Sequence, residues 1–234
     1  DAGNSYSSNF GEYRDDHFHM GLDVRTNGTI GHKVFATENG YISRIVTNYS
    51  GYGKALYQKT NSGKTIVYAH LDKFSPIIER VLKLQQSKNK KYSVSINFSP
   101  NEFRLNQGDV IGLTGETGYA FGPNLHFEVR DESDAALDPL SNGYLTTDKV
   151  HPIMHKIALI PLSKGALINS SPLMQTIPLF RDKNGVYLFA DTVSVIGDFG
   201  LAIQAIDKRE GSKFKYQFHK AELYIDNKLM FSLN

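Results

Sequence analysis

One short segment alternates apolar and polar residues and carries a histidine on its polar side. Between Pro123 and Arg130, three apolar residues alternate with Asn124, His126 and Glu128. Successive side chains of a β-strand point to opposite faces, so a strand here would bury the apolar set and align the polar set on one face. His126 is therefore expected to project beside Asn124, where an imidazole could bind a metal or exchange a proton.

Two further histidines occur at spacings that could complete a site. His19 and Asp23 are four residues apart, which puts both on one side of a helix or a strand, and Gly21 between them lets the backbone bend. In a third run, alternation places His70 on the same face as Tyr68. Together with the segment of His126, these two segments could line one candidate site.

The chemistry that these side chains could perform together is that of a catalytic zinc ion. Two histidines and one aspartate are sufficient, because such a zinc takes three protein ligands and leaves the fourth position to water or substrate. The chain has no Cys, which excludes thiolate ligands and disulfides, so any metal must be held by His and carboxylate. A single histidine is more often a hydrogen-bonded core or surface residue than a ligand, and spacing alone defines only a candidate site.

The composition limits the possible classes of protein. With 234 residues, 40% of them hydrophobic, the chain can form one large domain or two small ones. Its net charge of +2 gives no basic surface of the kind that a phosphate backbone requires, so nucleic acid is not an expected partner. No run of about 18 apolar residues occurs, and this region is not expected to span a membrane.

The elements that must position these residues are mainly β-strands. From Phe10 to about Leu140, short strand-like runs alternate with Gly and Asn, which predicts an antiparallel β-domain. Only Pro76 to Gln86 has helical spacing, with Ser75 as its cap, and we predict a surface helix there.

A second domain is expected beyond a boundary near residue 150. The predicted domains are residues 1–150 and 151–234, the second a small β-sandwich with a turn at Asp226–Lys228 between its last two strands. Because the sequence stops on a predicted strand, we expect the natural chain to continue past Asn234.

Five blocks of sequence, several of them containing the residues above, occur in a characteristic order. They are His19–Asp23 (HMGLD), Gly31–Ile45, Tyr68–Leu71 (YAHL), Gly108–Gly118 and Gly122–Arg130 (GPNLHFEVR). In this order, over roughly residues 10 to 140, they resemble the lysostaphin and LytM type of zinc metalloendopeptidase. The stretch 75–99 looks like an insertion after YAHL. Long versions of this loop followed by an immunoglobulin-like domain are similar to envelope proteins of the Bacteroidetes group.

The resemblance implies a fold, an activity and a location. It implies a twisted antiparallel sheet whose groove holds one Zn²⁺, hydrolysis of peptide bonds in peptidoglycan, and a place in the bacterial cell envelope, periplasmic or at the cell surface. The family's zinc ligands fall on His19, Asp23 and His126, and its auxiliary catalytic histidine falls on His70. The partners implied are peptidoglycan peptides and other envelope proteins.

One family position is changed. The first residue of the family's His-x-His pair, where a histidine helps to activate the water, is Asn124 here. An imidazole can take up a proton near neutral pH, whereas a carboxamide cannot titrate. The sequence therefore predicts a zinc peptidase with attenuated activity. The alternative is a catalytically inactive module of the envelope that binds cell-wall peptides or recruits another protein.

Overall fold

The computed structural model describes residues 5–144, 150–210 and 212–233. The chain folds into two compact units, Asp1–Thr147 and Asp148–Asn234. Strands dominate both units, with one helix among the described residues, which confirms the mostly β prediction. In this part of the chain, no helix is long and apolar enough to cross a membrane.

The described part of the first unit contains twelve strands and the helix. They are β1 (Tyr6–Ser8), β2 (Leu22–Arg25), β3 (Lys33–Phe35), β4 (Gly40–Thr47), β5 (Lys54–Thr60), β6 (Thr65–Ala69), β7 (Leu71–Phe74), α1 (Pro76–Asn89), β8 (Val94–Asn97), β9 (Arg104–Leu105), β10 (Val110–Thr114), β11 (Asn124–Arg130) and β12 (Ala136–Leu137). Nine of these strands form one antiparallel sheet in the order β1-β2-β11-β6-β5-β4-β8, with β12 on β11 and β9 on β4. Strands β3, β10 and β7 form a second, three-stranded sheet.

The large sheet has two different faces. One face packs in the main hydrophobic core, where Tyr68 of β6 and Phe127 of β11 lie on paired positions. The other face carries a small apolar cluster that includes Val67 and Ala69, and Ala69 is the register partner of His126. Cross-strand partners share a face, so His126 lies on the face opposite the main core.

The helix α1 follows the prediction and extends it. It begins with Pro76 after Ser75, as predicted, and ends three residues beyond the predicted Gln86, at Asn89. Ile78 and Leu82, four residues apart, are buried against the core, while the rest of the helix is more exposed. The Ser75 side chain makes no capping hydrogen bond, so the proline at the first turn is the stronger start signal.

Nine strands lie in the residues described for the second unit. They are β13 (Ile153–Pro161), β14 (Leu167–Ile168), β15 (Gln175–Ile177), β16 (Leu179–Arg181), β17 (Tyr187–Phe189), β18 (Val195–Ile196), β19 (Phe199–Ile206), β20 (Ala221–Ile225) and β21 (Lys228–Leu233). Strands β15, β13 and β19 form a sheet, and the others pair as β14–β18, β16–β17 and β20–β21. The predicted turn is confirmed, because Asp226 and Asn227 both adopt positive φ between β20 and β21. The immunoglobulin-like sandwich stays a prediction.

Candidate metal centre

Two neighbouring strands and the segment before one of them bring three polar side chains together. In the antiparallel ladder of β2 and β11, Asp23 lies directly opposite His126. His19 precedes β2 and reaches the same place, because Gly21 packs against the backbone of β11. A Cβ atom at Gly21 would lie 2.2 Å from the carbonyl oxygen of Phe127, so only glycine permits this approach.

The three side chains form a tight triangle. His19 Nε2 lies 3.0 Å from His126 Nδ1 and 3.2 Å from Asp23 Oδ1, and His126 Nδ1 lies 3.0 Å from the same oxygen. Both histidines are buried. The structure thus brings together the three residues predicted as ligands, and these are a group that could hold a metal ion.

The outer nitrogen of each histidine has a hydrogen-bond acceptor. His19 Nδ1 lies 2.8 Å from the carbonyl oxygen of Asn9, and His126 Nε2 lies 2.8 Å from Glu128 Oε1. Neither oxygen can donate a proton, so these ring nitrogens are the donors. When a metal takes the place of the inner proton, an imidazole so held presents the lone pair of its other nitrogen, His19 Nε2 or His126 Nδ1, to the triangle.

Charge around Asp23 keeps this carboxylate ionised. Burial favours the neutral acid, but hydrogen bonds from His126 and His19 outweigh it and hold the pKa of Asp23 well below its usual range. Arg14 Nη2 lies 3.3 Å from the outer oxygen, Oδ2, and leaves Oδ1 for the triangle. Burial also opposes charge on His126, yet its bonds to Asp23 and Glu128 raise the pKa of His126 to about 9.

The donor set fits zinc. Tetrahedral zinc with bonds of about 2.0–2.1 Å places any two ligand atoms about 3.3 Å apart, close to the observed sides of 3.0 to 3.2 Å. Two imidazole nitrogens and one carboxylate oxygen are a ligand set of catalytic zinc sites, and three protein ligands leave one position open. His19, Asp23 and His126 would hold the ion.

His70 lies beside this triangle, but not for the reason that alternation suggested. Its ring centroid is 5.8 Å from that of His126, in an edge-on arrangement. His70 Nδ1 donates to the carbonyl oxygen of Thr117 at 2.8 Å, so the neutral ring keeps its lone pair on Nε2. Burial lowers the pKa of His70 below its ordinary value, although the bond to Thr117 opposes this shift.

The predicted common face of Tyr68 and His70 is wrong. Tyr68 is buried in the main core, where its hydroxyl bonds Gln58 and Thr37, whereas His70 lies at the metal-centre side. The reason is the backbone of His70, whose φ of 59° is left-handed and interrupts the alternation between β6 and β7. Such a conformation costs free energy in a non-glycine residue and is often found at functional sites.

The close crossing of two loops positions the carbonyl that holds His70. Gly53 and Gly118 both have positive φ, and a Cβ on either would lie 2.3 Å from backbone atoms of the other loop. Thr117, next to Gly118, also bonds the carbonyl of Leu71 through its hydroxyl. The loop of Thr117 is therefore tied to the His70 ring and to the next residue of the chain, Leu71.

Asn124 occupies the first position of β11, two residues before His126. Its Nδ2 donates to the carbonyl of Gly122 at 3.0 Å, while its Oδ1 is buried and has no hydrogen-bond partner among the described residues. An unbonded buried acceptor is uncommon and marks a position where a donor could be received. The side chain can accept a hydrogen bond there, but it cannot take up a proton.

Glu128 has a role in the site that the strand pattern did not predict. Alternation placed it on the polar face with His126, as observed, but it is fully buried and bonds His126, Arg130 and Tyr52. Burial raises the pKa of Glu128, but these partners together lower it more. The pKa of Glu128 therefore lies below its ordinary value. The available signal was a carboxylate two residues after a candidate ligand on the same strand face.

No protein-family model matches the chain, and no curated protein matches it. Several solved structures are similar to it. The catalytic domain of the antimicrobial peptidase lysostaphin from Staphylococcus simulans is 24% identical, with a TM-score of 0.44, over 59% of this chain and 91% of that one. A zinc containing peptidase from Vibrio cholerae is 24% identical, with a TM-score of 0.41, over 58% and 35% of the two chains.

A third similar structure is not described as a peptidase. A chain of the SpoIIIAH and SpoIIQ complex is 19% identical, with a TM-score of 0.43, over 61% of this chain and 94% of that one. At these TM-scores and identities the likenesses establish neither an activity nor a partner for this chain.

Proposed function

We propose that this chain is a zinc metalloendopeptidase that hydrolyses peptide bonds of bacterial peptidoglycan, with activity attenuated by Asn124. The observation that carries the proposal is the triangle of His19 Nε2, Asp23 Oδ1 and His126 Nδ1, with sides of 3.0 to 3.2 Å. Hydrogen bonding to the outer nitrogens of both rings supports this assignment, since it turns the inner nitrogens toward the place where a metal would bind.

The remaining residues of the site suit peptide hydrolysis in different degrees. Zinc in a three-ligand site supplies Lewis-acid chemistry, because it polarises a carbonyl and lowers the pKa of a bound water. His70 offers a neutral imidazole that can accept a proton or hydrogen-bond the developing oxyanion. Asn124 can orient a donor through its unpartnered Oδ1 but cannot act as a base.

The substrate and the location rest on the five sequence blocks. Their order resembles the lysostaphin and LytM type, whose members act on peptidoglycan, and so we place the chain in the bacterial envelope, periplasmic or at the cell surface. We further propose that residues 1–150 form the peptidase domain and residues 151–234 an immunoglobulin-like domain.

The test combines metal content with release of soluble fragments from purified peptidoglycan. We expect about one zinc per chain after reconstitution, slow release of fragments, and loss of release when a chelator removes the metal. Zinc well below one per chain would contradict the metal centre. Stoichiometric zinc without any release would contradict the peptidase activity alone.

A second function is favoured by one observation. Because Asn124 replaces the residue that would take a proton, the groove could bind cell-wall peptides without cleaving them, or the module could recruit another envelope protein. Binding of peptidoglycan peptides by a zinc-loaded protein that never cleaves them would support this function over hydrolysis.

A further inference from the structure

We propose that Glu128, held by Tyr52 and Arg130, is a positioning residue that fixes the ring of His126 with Nδ1 toward the metal centre and so sets the affinity for zinc. This inference rests on the zinc site of the proposed function. It concerns a residue that neither binds the metal nor touches a substrate, and it acts only through His126.

The carboxylate of Glu128 is fully enclosed and has hydrogen-bond donors at both oxygens. Oε1 accepts from His126 Nε2 at 2.8 Å and from the Tyr52 hydroxyl, and Oε2 accepts from Arg130 Nε at 2.7 Å. The side chain of Glu128 is 0% exposed. A buried carboxylate is stable only when it is paired and hydrogen-bonded, so the three donors fix the position of Oε1.

Glu128 and Tyr52 hold the His126 ring from two directions. Glu128 fixes the edge of the ring at Nε2, while the Tyr52 ring stacks on its face with a centroid separation of 5.4 Å and an interplanar angle of 26°. Arg130 joins the two supports, since its Nη2 lies 3.2 Å from the Tyr52 hydroxyl. A rotation of the imidazole would therefore break either the hydrogen bond to Glu128 or the stacking on Tyr52.

Two alternative roles for Glu128 are less consistent with this geometry. A direct ligand role fails, because Oε1 bonds the nitrogen of His126 that faces away from the triangle. A purely structural ion pair with Arg130 would require only Oε2 and would leave His126 unaffected. The bond through Oε1 is the feature that connects this buried pair to the metal centre.

The experiment uses three variants of the full chain. Glu128→Leu removes the acceptor, and Glu128→Gln keeps the shape and a weaker, neutral acceptor. Glu38→Gln is the matched control, since the Glu38 carboxylate also bonds a tyrosine hydroxyl, that of Tyr144, but makes its side-chain hydrogen bonds away from the metal centre. Zinc dissociation constants are measured by chelator competition, and the His126 Nε2–H proton is followed by NMR in the metal-free protein.

Removal of a hydrogen-bond partner of a metal-binding histidine typically costs 10–100-fold in metal affinity. We therefore expect zinc binding about 100-fold weaker in Glu128→Leu, about 10-fold weaker in Glu128→Gln, and unchanged in Glu38→Gln. The Nε2–H signal should be slow to exchange in the original protein, shift in Glu128→Gln and be lost in Glu128→Leu.

The inference is overturned if either folded Glu128 variant binds zinc within twofold of the original protein, or if Glu38→Gln weakens binding equally. Should Glu128→Leu fail to fold, Glu128→Gln decides by the same criterion. The proposed function has its own failure: an original protein that binds no zinc refutes the metal centre, while an unprotected His126 Nε2–H refutes the role of Glu128 independently of any metal.

Discussion

The candidate site has a metal half and a base half, and the two differ in how fully their side chains are hydrogen-bonded. In the metal half, formed by His19, Asp23 and His126, every outer polar atom of the ligands has a partner, and the β2–β11 register fixes two of the three residues. In the base half, His70 depends on one carbonyl bond and a left-handed backbone, and Asn124 Oδ1 has no partner in the described part of the chain.

Metal binding and proton transfer therefore depend on separate structural features. Three features fix the positions of the ligands in the metal half: strand pairing, the contact of Gly21 with β11, and hydrogen bonds to the outer nitrogens. The base half contains one residue that can titrate and one that cannot. Changes in the two halves should therefore affect different measurements, zinc content in one and turnover in the other.

The largest effect is expected from loss of a ligand in the metal half. His126→Ala should reduce zinc from about one ion per chain to near zero, because two side chains cannot complete a three-ligand site. Elemental analysis after reconstitution measures this. His17→Ala is the control, since His17 is exposed and outside the triangle; unchanged zinc in His126→Ala would refute the ligand assignment.

The next effect concerns the base half. Asn124→His should raise hydrolysis of peptidoglycan-derived peptides by about 10–10³-fold at unchanged zinc content, because the new imidazole lies on the same strand face as His126 and can accept a proton. Steady-state rates on a defined peptide provide the measurement. Adding His70→Ala to this variant should remove most of the gain, and equal rates for original and Asn124→His proteins would place the base elsewhere.

A smaller effect is expected from substitution of Gly21, which lets the segment that carries His19 pack closely against β11. Gly21→Ala places a methyl group against the Phe127 carbonyl and should lower the free energy of unfolding by about 1–3 kcal/mol, and zinc affinity with it. Denaturant unfolding tests this. Gly200→Ala is a suitable control, because its nearest atoms, at 3.5 Å, belong to a side chain. Equal stability of both variants would show that the close approach is not required.

The smallest effect is expected from removal of the second unit. All three ligands and His70 lie before residue 130, so a chain truncated near Asp148 should keep zinc content and affinity unchanged. Metal analysis of the shortened, folded protein checks this. A folded fragment that no longer holds zinc would mean that the second unit completes the site.

Local spacing in the sequence was sufficient for several features. The alternation of β11 predicted that Phe127 enters the core while His126 and Glu128 share the opposite face, and the structure agrees. The four-residue spacing predicted that His19 and Asp23 lie on one side. Proline and helical periodicity predicted α1, because the signals for a helix start are local in sequence.

Other features depend on residues that are distant in sequence, and local spacing could not predict them. His70 leaves the face of Tyr68 because its φ is positive, and a carbonyl 47 residues away holds its ring. The nitrogen that His19 presents depends on the carbonyl of Asn9, and the acceptor of His126, Glu128, is itself held by Tyr52, 76 residues away. Within one regular strand, spacing specifies which face a side chain occupies, whereas its hydrogen-bond partners are set by the elements that pack against it.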